Sequence, residues 1–157
     1  MTGSQALRLL VPVVSALLAL NCSRAHTSAA SPPAVERAAT PEDLRILERA
    51  DQILSDSTKW DRADDRVCNA TDTTWSLFCA VAKATAEVLG EYQHDDRMGQ
   101  AATREVRRVI EDLNPGRRFE HRLMDYNNLP TTSFDDIKRV LRLARERLEA
   151  QSAGRPR

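Results

Sequence analysis

The sequence is poor in aromatic residues, which make up 4% of its 157 residues. The core must therefore rest on Leu, Val, Ile and Ala, and cores rich in Ala and Leu favour closely packed helices over sheets. Hydrophobic residues account for 41% and charged residues for 29%, a balance that excludes an intrinsically disordered chain. A chain of this length is expected to form one domain.

The chain also lacks an excess of either charge, because 23 basic residues stand against 23 acidic residues. The arginines between residues 104 and 118 alternate with acids, which is typical of a solvated helix face. A nucleic-acid partner would require a face dominated by basic side chains. The composition therefore predicts no nucleic acid as a partner.

Motifs that identify common catalytic and cofactor sites are absent too. The sequence contains no Gly-rich phosphate loop, no Gly-x-Ser-x-Gly, no His-Glu-x-x-His and no Cys-x-x-Cys. It therefore assigns no catalytic residue, no cofactor-binding residue and no metal ligand, and we expect no cofactor. The alternative is a hydrolase or metal-dependent enzyme that uses scattered carboxylates or the regions of His94, His121 and Asp125. His121 and Asp125 would face together if their segment is helical.

No hydrophobic run is long enough to span a membrane. The uncharged run at residues 9–20 covers 12 residues, whereas a spanning helix needs about 20. A run of this length fits the hydrophobic region of a signal peptide. We therefore predict a leader over residues 1–25, a flexible linker over 26–39, and an exported protein in the periplasm, cell envelope or extracellular space.

Two routes of processing compete for this leader. Cys22 follows the apolar run directly, where the lipidated cysteine of a bacterial lipoprotein would lie, and a polar stretch suited to a tether comes after it. Ordinary cleavage after Ala25 or Ala30 is the second route, and an uncleaved N-terminus in the cytoplasm is the third. Contact with a membrane is expected only through a lipid on Cys22.

Apolar periodicity and capping signals predict an all-α fold, a compact bundle of about four main helices and one short helix. The second helix is apolar nearly all round, so we expect it at the centre of the bundle. The domain is predicted over residues 40–150, with a disordered tail at 151–157. The main helices are predicted from Thr40 to about Ser55, from Thr71 or Asp72 to Gly90, over 97–113, and from Ser133 to about Ala150, with the short helix within 118–127.

If the protein is exported and Cys22 is lipidated or removed, Cys68 and Cys79 are the two remaining cysteines and can form a disulfide with each other. A disulfide between them would close a loop of about a dozen residues and stabilise the fold by roughly 3 kcal/mol. A helix that begins at Asp72 would carry Cys79 about 10 Å along its axis, and the chain would then have to double back. The alternative is a buried Cys79 and a free thiol at Cys68.

Trp60, Tyr126, Asn127 and Asn128 are candidates for lining a groove. Trp60 lies in a polar segment, where a tryptophan either contacts a ligand or covers the core. The two asparagines lie in a predicted loop, where their amides are expected to tie that loop to the start of the last helix. Both interpretations of the four residues remain open.

The order of several short patterns resembles a family of small all-helical bacterial domains of unknown function. The first helix carries a Leu-x-x-Ala-x-x-Ile-Leu pattern, a Trp follows, then a Cys-Ala helix, and finally an aromatic-Asn-Asn-x-Pro-x-Thr loop before an acidic helix start. The sequence differs from the family pattern at Tyr126, Asn128 and Lys83, where Trp, Asp and Gly are expected. The resemblance covers residues 44–148 and implies a helical fold without implying an activity. The residues that carry it are Leu47, Ala50, Ile53, Leu54, Trp60, Cys79, Ala80, Ala82, Ala84, Tyr126, Asn127, Asn128, Pro130, Thr132, Asp135, Asp136 and Ile137.

A non-catalytic, exported helical domain that binds a protein partner or a small ligand is the function that the sequence favours. Complete helix caps and apolar stripes without a catalytic constellation are the reason. The enzyme that uses His94, His121 and Asp125 is the first alternative. A structural lipoprotein of the cell envelope is the second.

Overall fold

The computed structural model describes residues 38–90 and 100–154. These residues form five α-helices and one turn of 3-10 helix, and no strand, so the predicted all-α fold is confirmed. The predicted leader with Cys22, most of the predicted linker, and His94 lie outside the described residues. The helices are α1 (Pro41–Ile53), the 3-10 helix (Ser57–Lys59), α2 (Leu77–Leu89), α3 (Ala101–Leu113), α4 (Arg122–Asn127) and α5 (Phe134–Ala153).

The helices pack around α1, which lies substantially against α2, α3 and α5. The prediction that α2 is the central helix is therefore wrong, since α2 packs mainly against α1 and the short α4. Part of the apolar surface of α2 faces the segment before it instead of another helix, because Cys79 is joined to Cys68 there. The largest fully buried apolar side chains are Ile46, Leu47, Leu54, Leu77, Val106, Val109, Ile110, Ile137, Val140, Leu141 and Leu148.

Two helices begin with complete capping boxes. At the start of α1, the Thr40 hydroxyl accepts a hydrogen bond from the Asp43 backbone, and the Asp43 side chain accepts one from the Thr40 backbone. Ser133 and Asp136 repeat this arrangement at the start of α5. Each box satisfies backbone N–H groups that a helix leaves unpaired in its first turn. The predicted caps Thr40 and Ser133 are both confirmed.

The last helix is longer than predicted. It continues to Ala153, so residues 151–153, predicted to be disordered, are helical. Gln151 donates a hydrogen bond of 3.0 Å to Glu105 on α3, and Ser152 donates one of 2.9 Å to the Leu148 carbonyl. The first bond holds the final turn of α5 against α3, and the second lies within α5 itself.

The predicted start of α2 is wrong by several residues. The helix begins at Leu77 rather than after Thr71 or Asp72, and Ser76 is its cap. Trp75 is extended, because its backbone N–H donates to Lys59 (2.7 Å) and its carbonyl accepts from Asp61 (3.0 Å). This pairing with a distant segment overrides the local helix signal at residues 71–75. No helix among the described residues is long and apolar enough to cross a membrane.

Candidate functional site

Cys68 and Cys79 lie at disulfide distance, with their sulfurs 2.00 Å and their Cα atoms 5.4 Å apart. Because α2 begins at Leu77, Cys79 lies in the first turn of the helix and not two turns along it. The chain between the two cysteines therefore does not have to double back along a helix. The disulfide fixes the loop before α2 to the helix that follows it.

A groove of about 380 Å³ lies beside this disulfide. We call it the Trp75 groove. Carbon atoms form most of its wall. Since a disulfide and a helix frame it, its shape is held by covalent and packing constraints. Its lining residues are Cys68, Asn69, Ala70, Trp75, Lys83, Ala86 and Glu87.

The charged groups of the Trp75 groove are paired at its edge. The Lys83 ammonium lies 5.1 Å from the centroid of the Trp75 ring, in cation–π range, and 2.8 Å from the Glu87 carboxylate. Arg49 of α1 donates to the same carboxylate. Hydrogen bonds from Arg49 and Lys83 hold the pKa of Glu87 below its usual range. The rim of the groove thus carries two cations and one carboxylate that stays ionised at neutral pH.

Asn127, one of the predicted groove residues, is fully buried and joins three segments of the chain. Its side-chain oxygen accepts hydrogen bonds from the Trp60 indole (2.8 Å) and from the Leu77 backbone (3.0 Å). Its amide nitrogen donates to the Asp61 carbonyl at 3.0 Å. Asn127 therefore connects α4 to the segment before α2 and to the start of α2.

Asn128 continues this connection at the surface. Its side-chain oxygen accepts from the Asp64 backbone, and its nitrogen donates to the Asp64 carbonyl, each at 2.8 Å. Tyr126 is buried, and this burial raises the pKa of its hydroxyl to about 12. The amides thus bind the segment Asp61–Asp64 instead of the start of the last helix. Trp60 and the two asparagines do come together, but none of the predicted groove residues lines the Trp75 groove.

A second, smaller cavity of about 130 Å³ contains His121. We call it the arginine pocket, because guanidinium groups from three parts of the chain reach it. Its lining residues are Arg66, Phe78, Arg107, Glu120, His121, Arg122, Leu123 and Met124.

His121 and Asp125 interact in a way that does not present two metal ligands. The Asp125 carboxylate accepts a hydrogen bond of 2.9 Å from the His121 backbone, at the start of α4. The His121 ring is in contact with the Arg66 guanidinium, which would compete with a cation. Within residues 38–90 and 100–154, no three His, Cys, Asp or Glu side chains are grouped to hold a metal ion.

Three acids are buried contrary to the sequence-based expectation, namely Asp43, Asp64 and Glu105, and Glu105 lies on the helix face that was predicted to be solvated. Asp43 is fully buried, and its carboxylate accepts a bond of 3.1 Å from the Ala102 backbone of α3 besides capping α1. Asp64 is 6% exposed, and burial raises its pKa. Only the Thr-x-x-Asp spacing at residues 40–43 could have identified the first, and nothing local marks the second as buried.

Residues 38–147 match the family of unknown function DUF6197, and the chain belongs to this family. No curated protein and no solved structure matches the chain. The family therefore agrees with the expected helical domain, and any activity has to be argued from the geometry of the domain itself.

Proposed function

We propose that this member of a family of unknown function is a non-catalytic small-ligand-binding domain and that its ligand lies in the Trp75 groove. The observation that carries the proposal is the volume and wall of this groove. About 380 Å³ falls within the roughly 300–1,000 Å³ of sites for small organic ligands. A mostly apolar wall with a few polar groups at one edge is also typical of such sites.

The charges at the rim indicate which ligand the groove would take. Arg49 and Lys83 share one carboxylate, that of Glu87, so the rim has an excess of one positive charge. Trp75 and Ala86 supply an apolar surface next to it. A flat apolar molecule with a carboxylate would fit this combination, since its body contacts the wall and its charge lies near Lys83.

A binding role suits the chemistry of these groups better than a catalytic role. Among the described residues that line the groove, Lys83 and Glu87 are the ionisable ones, and each is paired with the other. The hydrogen bonds that lower the pKa of Glu87 make it a weak base, because they stabilise its ionised form. Such a pair can orient a charged ligand without transferring a proton to it.

An aromatic carboxylate, 2-naphthoate, tests the groove by nuclear magnetic resonance. We expect the indole N–H signal of Trp75 to shift in a saturable way, while that of Trp60, bonded to Asn127, stays in place. Ala86→Trp should abolish the shift because the larger ring fills the groove. The matched control is Ala150→Trp on the exposed side of α5, which should bind normally.

The charge of the ligand is tested by Lys83→Met, which keeps most of the side-chain volume. Loss of one partly exposed ion pair of about 1 kcal/mol should weaken 2-naphthoate binding roughly five-fold. Equal binding by Ala86→Trp and the parent would contradict the proposed site. Equal binding by Lys83→Met would contradict an anionic ligand but leave the groove itself in place.

We also propose that the domain acts outside the cytoplasm. The disulfide-distance pair Cys68 and Cys79 supports this, because disulfides persist mainly in oxidising compartments. The predicted leader at residues 1–25 agrees with it. The mass of the protein isolated from its own cells, after alkylation with and without reductant, tests both points.

Three masses are distinguishable in that experiment. A lipid adduct on Cys22 would favour an anchored envelope protein, and cleavage after Ala25 or Ala30 would favour a freely exported one. An intact N-terminus with all three cysteines alkylated in the absence of reductant would contradict export.

A further inference from the structure

The arginine pocket brings together cations from three separate parts of the chain. Arg66 comes from the segment before α2, Arg107 from α3 and Arg122 from the first position of α4. Among the residues that the structure describes, Glu120 is the one acid that lines the pocket, so the described wall carries a formal charge of +2 when His121 is neutral. Like charges that are held near each other destabilise the fold. The grouping of these cations is therefore not explained by stability alone.

Arg66 has an unusual set of partners. One of its terminal nitrogens lies 3.3 Å from Nδ1 and 3.2 Å from Nε2 of His121, so the guanidinium lies across the imidazole ring rather than on one of its nitrogens. Its central carbon is 5.8 Å from the centroid of the Phe78 ring. Among the described residues, no carboxylate forms an ion pair with Arg66. The aromatic contacts hold the group at the pocket without neutralising it.

The backbone of Arg66 is also strained. Its φ is +65°, in the left-handed region that a residue with a side chain enters at a cost. The Asp64 carboxylate holds this conformation by accepting a hydrogen bond of 2.7 Å from the Arg66 backbone. Asp64 is in turn fixed by Asn128. A glycine would adopt this backbone conformation more easily. We therefore infer that position 66 carries an arginine because its side chain is needed at the pocket.

Another basic cavity among the described residues lacks this convergence. Its four cations, Lys138, Arg139, Arg142 and Arg145, all come from one helix, α5. Three of them are paired with an acid, Lys138 with Asp51, Arg142 with Glu146 and Arg145 with Glu149. That arrangement is a solvated helix face. The arginine pocket differs because its cations come from three separate elements.

From this geometry we propose that the arginine pocket is a binding site for a small dianionic oxyanion, of which inorganic phosphate is the simplest example. A volume of about 130 Å³ suits a small ion and is too small for a drug-sized ligand. Guanidinium groups match the oxygen geometry of phosphate and can donate two parallel hydrogen bonds to it. A charge of −2 matches the formal charge of the described lining residues. This site is separate from the Trp75 groove and does not depend on the function proposed there.

The electrostatics of Arg107 support the assignment. Burial, and then the nearby charge of Arg122, hold the pKa of Arg107 below its usual range, whereas Glu111 acts in the opposite direction. Glu111 itself pairs with Arg122. Burial and a neighbouring cation therefore disfavour the charged form of Arg107, as expected where guanidinium groups converge.

Phosphate binding is tested by calorimetry and by thermal unfolding in sodium phosphate, sodium acetate and sodium chloride of equal ionic strength. We expect saturable binding of phosphate and a rise in Tm of about 4 °C or more near saturation, because a ligand bound only to the folded state stabilises it. Acetate, with a single charge, should bind at least about ten-fold more weakly than phosphate.

Arg66→Gly separates binding from folding. Since glycine relieves the left-handed backbone, the Tm without phosphate should be equal to or higher than that of the parent. The affinity for phosphate should fall about ten-fold or more, because one guanidinium is lost. Arg118→Gln, which removes one exposed charge outside the pocket, should bind within about two-fold of the parent.

Several results would overturn the proposal. One is a Tm in phosphate no higher than in chloride of equal ionic strength. Another is unchanged phosphate binding by Arg66→Gly, and a third is an equal loss in Arg118→Gln, which would indicate general charge attraction. Stronger binding of acetate than of phosphate would contradict a preference of the pocket for an anion with two negative charges.

Discussion

At the scale of single residues, the fold depends on polar side chains that sequence patterns give little reason to bury. Asn127 satisfies the Trp60 indole, the Leu77 backbone and the Asp61 carbonyl at once. The three hydrogen bonds of this side chain stabilise the fold together, because losing the amide would leave several buried groups without hydrogen bonds. The sequence identified Trp60 and Asn127 as notable, but their contact spans 67 positions and could not be predicted.

Asp64 offers a test of this residue-scale account through pH. Its pKa in the folded protein is raised, first by burial and further by Asp65 and Asp61, although hydrogen bonds from Arg66 and Ser76 oppose the shift. A carboxyl with a raised folded-state pKa costs no stability below its unfolded pKa. The cost appears as the pH rises from there through the folded pKa.

Asp64→Asn should therefore be more stable than the parent at pH 7, and the difference should shrink as the pH falls through the raised folded-state pKa towards about 3.9, the ordinary pKa of Asp. Asparagine keeps an oxygen that can accept the hydrogen bond from the Arg66 backbone. Urea unfolding at several pH values measures the difference. Asp65→Asn, at an exposed position, is the control and should show a smaller dependence on pH. A parent protein more stable than Asp64→Asn at pH 7 would refute the account.

At the scale of helices, the sequence predicted a helix start correctly wherever the capping residue and the groups that it caps lie within a few positions of each other. The caps Thr40 and Ser133 act within four residues, and both helix starts were predicted correctly. The start of α2 was missed because its position depends on Trp75, whose backbone pairs with Lys59 and Asp61. Such pairing between distant segments leaves no periodic pattern.

The two capping boxes allow a matched comparison of how much a buried and an exposed capping carboxylate contribute to stability. Asp43 is fully buried and also accepts from the Ala102 backbone, whereas Asp136 lies at the surface and bonds only within its own helix start. We expect Asp43→Ala to lower the free energy of unfolding by roughly 3 kcal/mol, because it leaves buried N–H groups unpaired. Asp136→Ala should cost only about 1 kcal/mol, as solvent can replace the lost cap.

Chemical denaturation of the two variants measures both values at neutral pH. Thr131→Ala, at an exposed position before α5, serves as a background control and should change stability by less than about 0.5 kcal/mol. Equal losses for Asp43→Ala and Asp136→Ala would mean that the bond from α1 to α3 adds nothing to the cap.

At the scale of the whole molecule, the segment from Trp60 to Ser76 has few helical residues yet connects most of the features that could have a function. The asparagines of α4 hold its first part, and the disulfide holds its last part. The Trp75 groove borders it at one point and the arginine pocket at another. The sequence predicted the surrounding helices and the cysteine pair. It could not predict the Trp75 groove or the arginine pocket, because the wall of each joins residues that lie apart in the sequence.

Reduction of the disulfide tests whether the asparagines still hold the first part of this segment in place when the covalent restraint on the rest is lost. In the chain-entropy description, a closed loop of about a dozen residues contributes about 3 kcal/mol, so reductant should lower the free energy of unfolding by about that amount. The helices should remain, since most side chains of the core cluster come from α1, α3 and α5, and Cys79 is the one disulfide cysteine within it. Circular dichroism and urea unfolding with and without reductant measure both effects.

Hydrogen exchange then locates the change. Amides from Val67 to Ser76 should exchange faster after reduction, whereas the Asp64 amide, bonded to Asn128, should keep its protection. The double variant Cys68→Ala/Cys79→Ala should behave like the reduced parent and should not respond to reductant. Equal loss of protection at Asp64 and in Val67–Ser76 would mean that the segment opens as one unit and that the asparagines do not hold it without the disulfide. The arginine pocket would then lose Arg66 on reduction, and phosphate binding would fall together with that of the groove ligand.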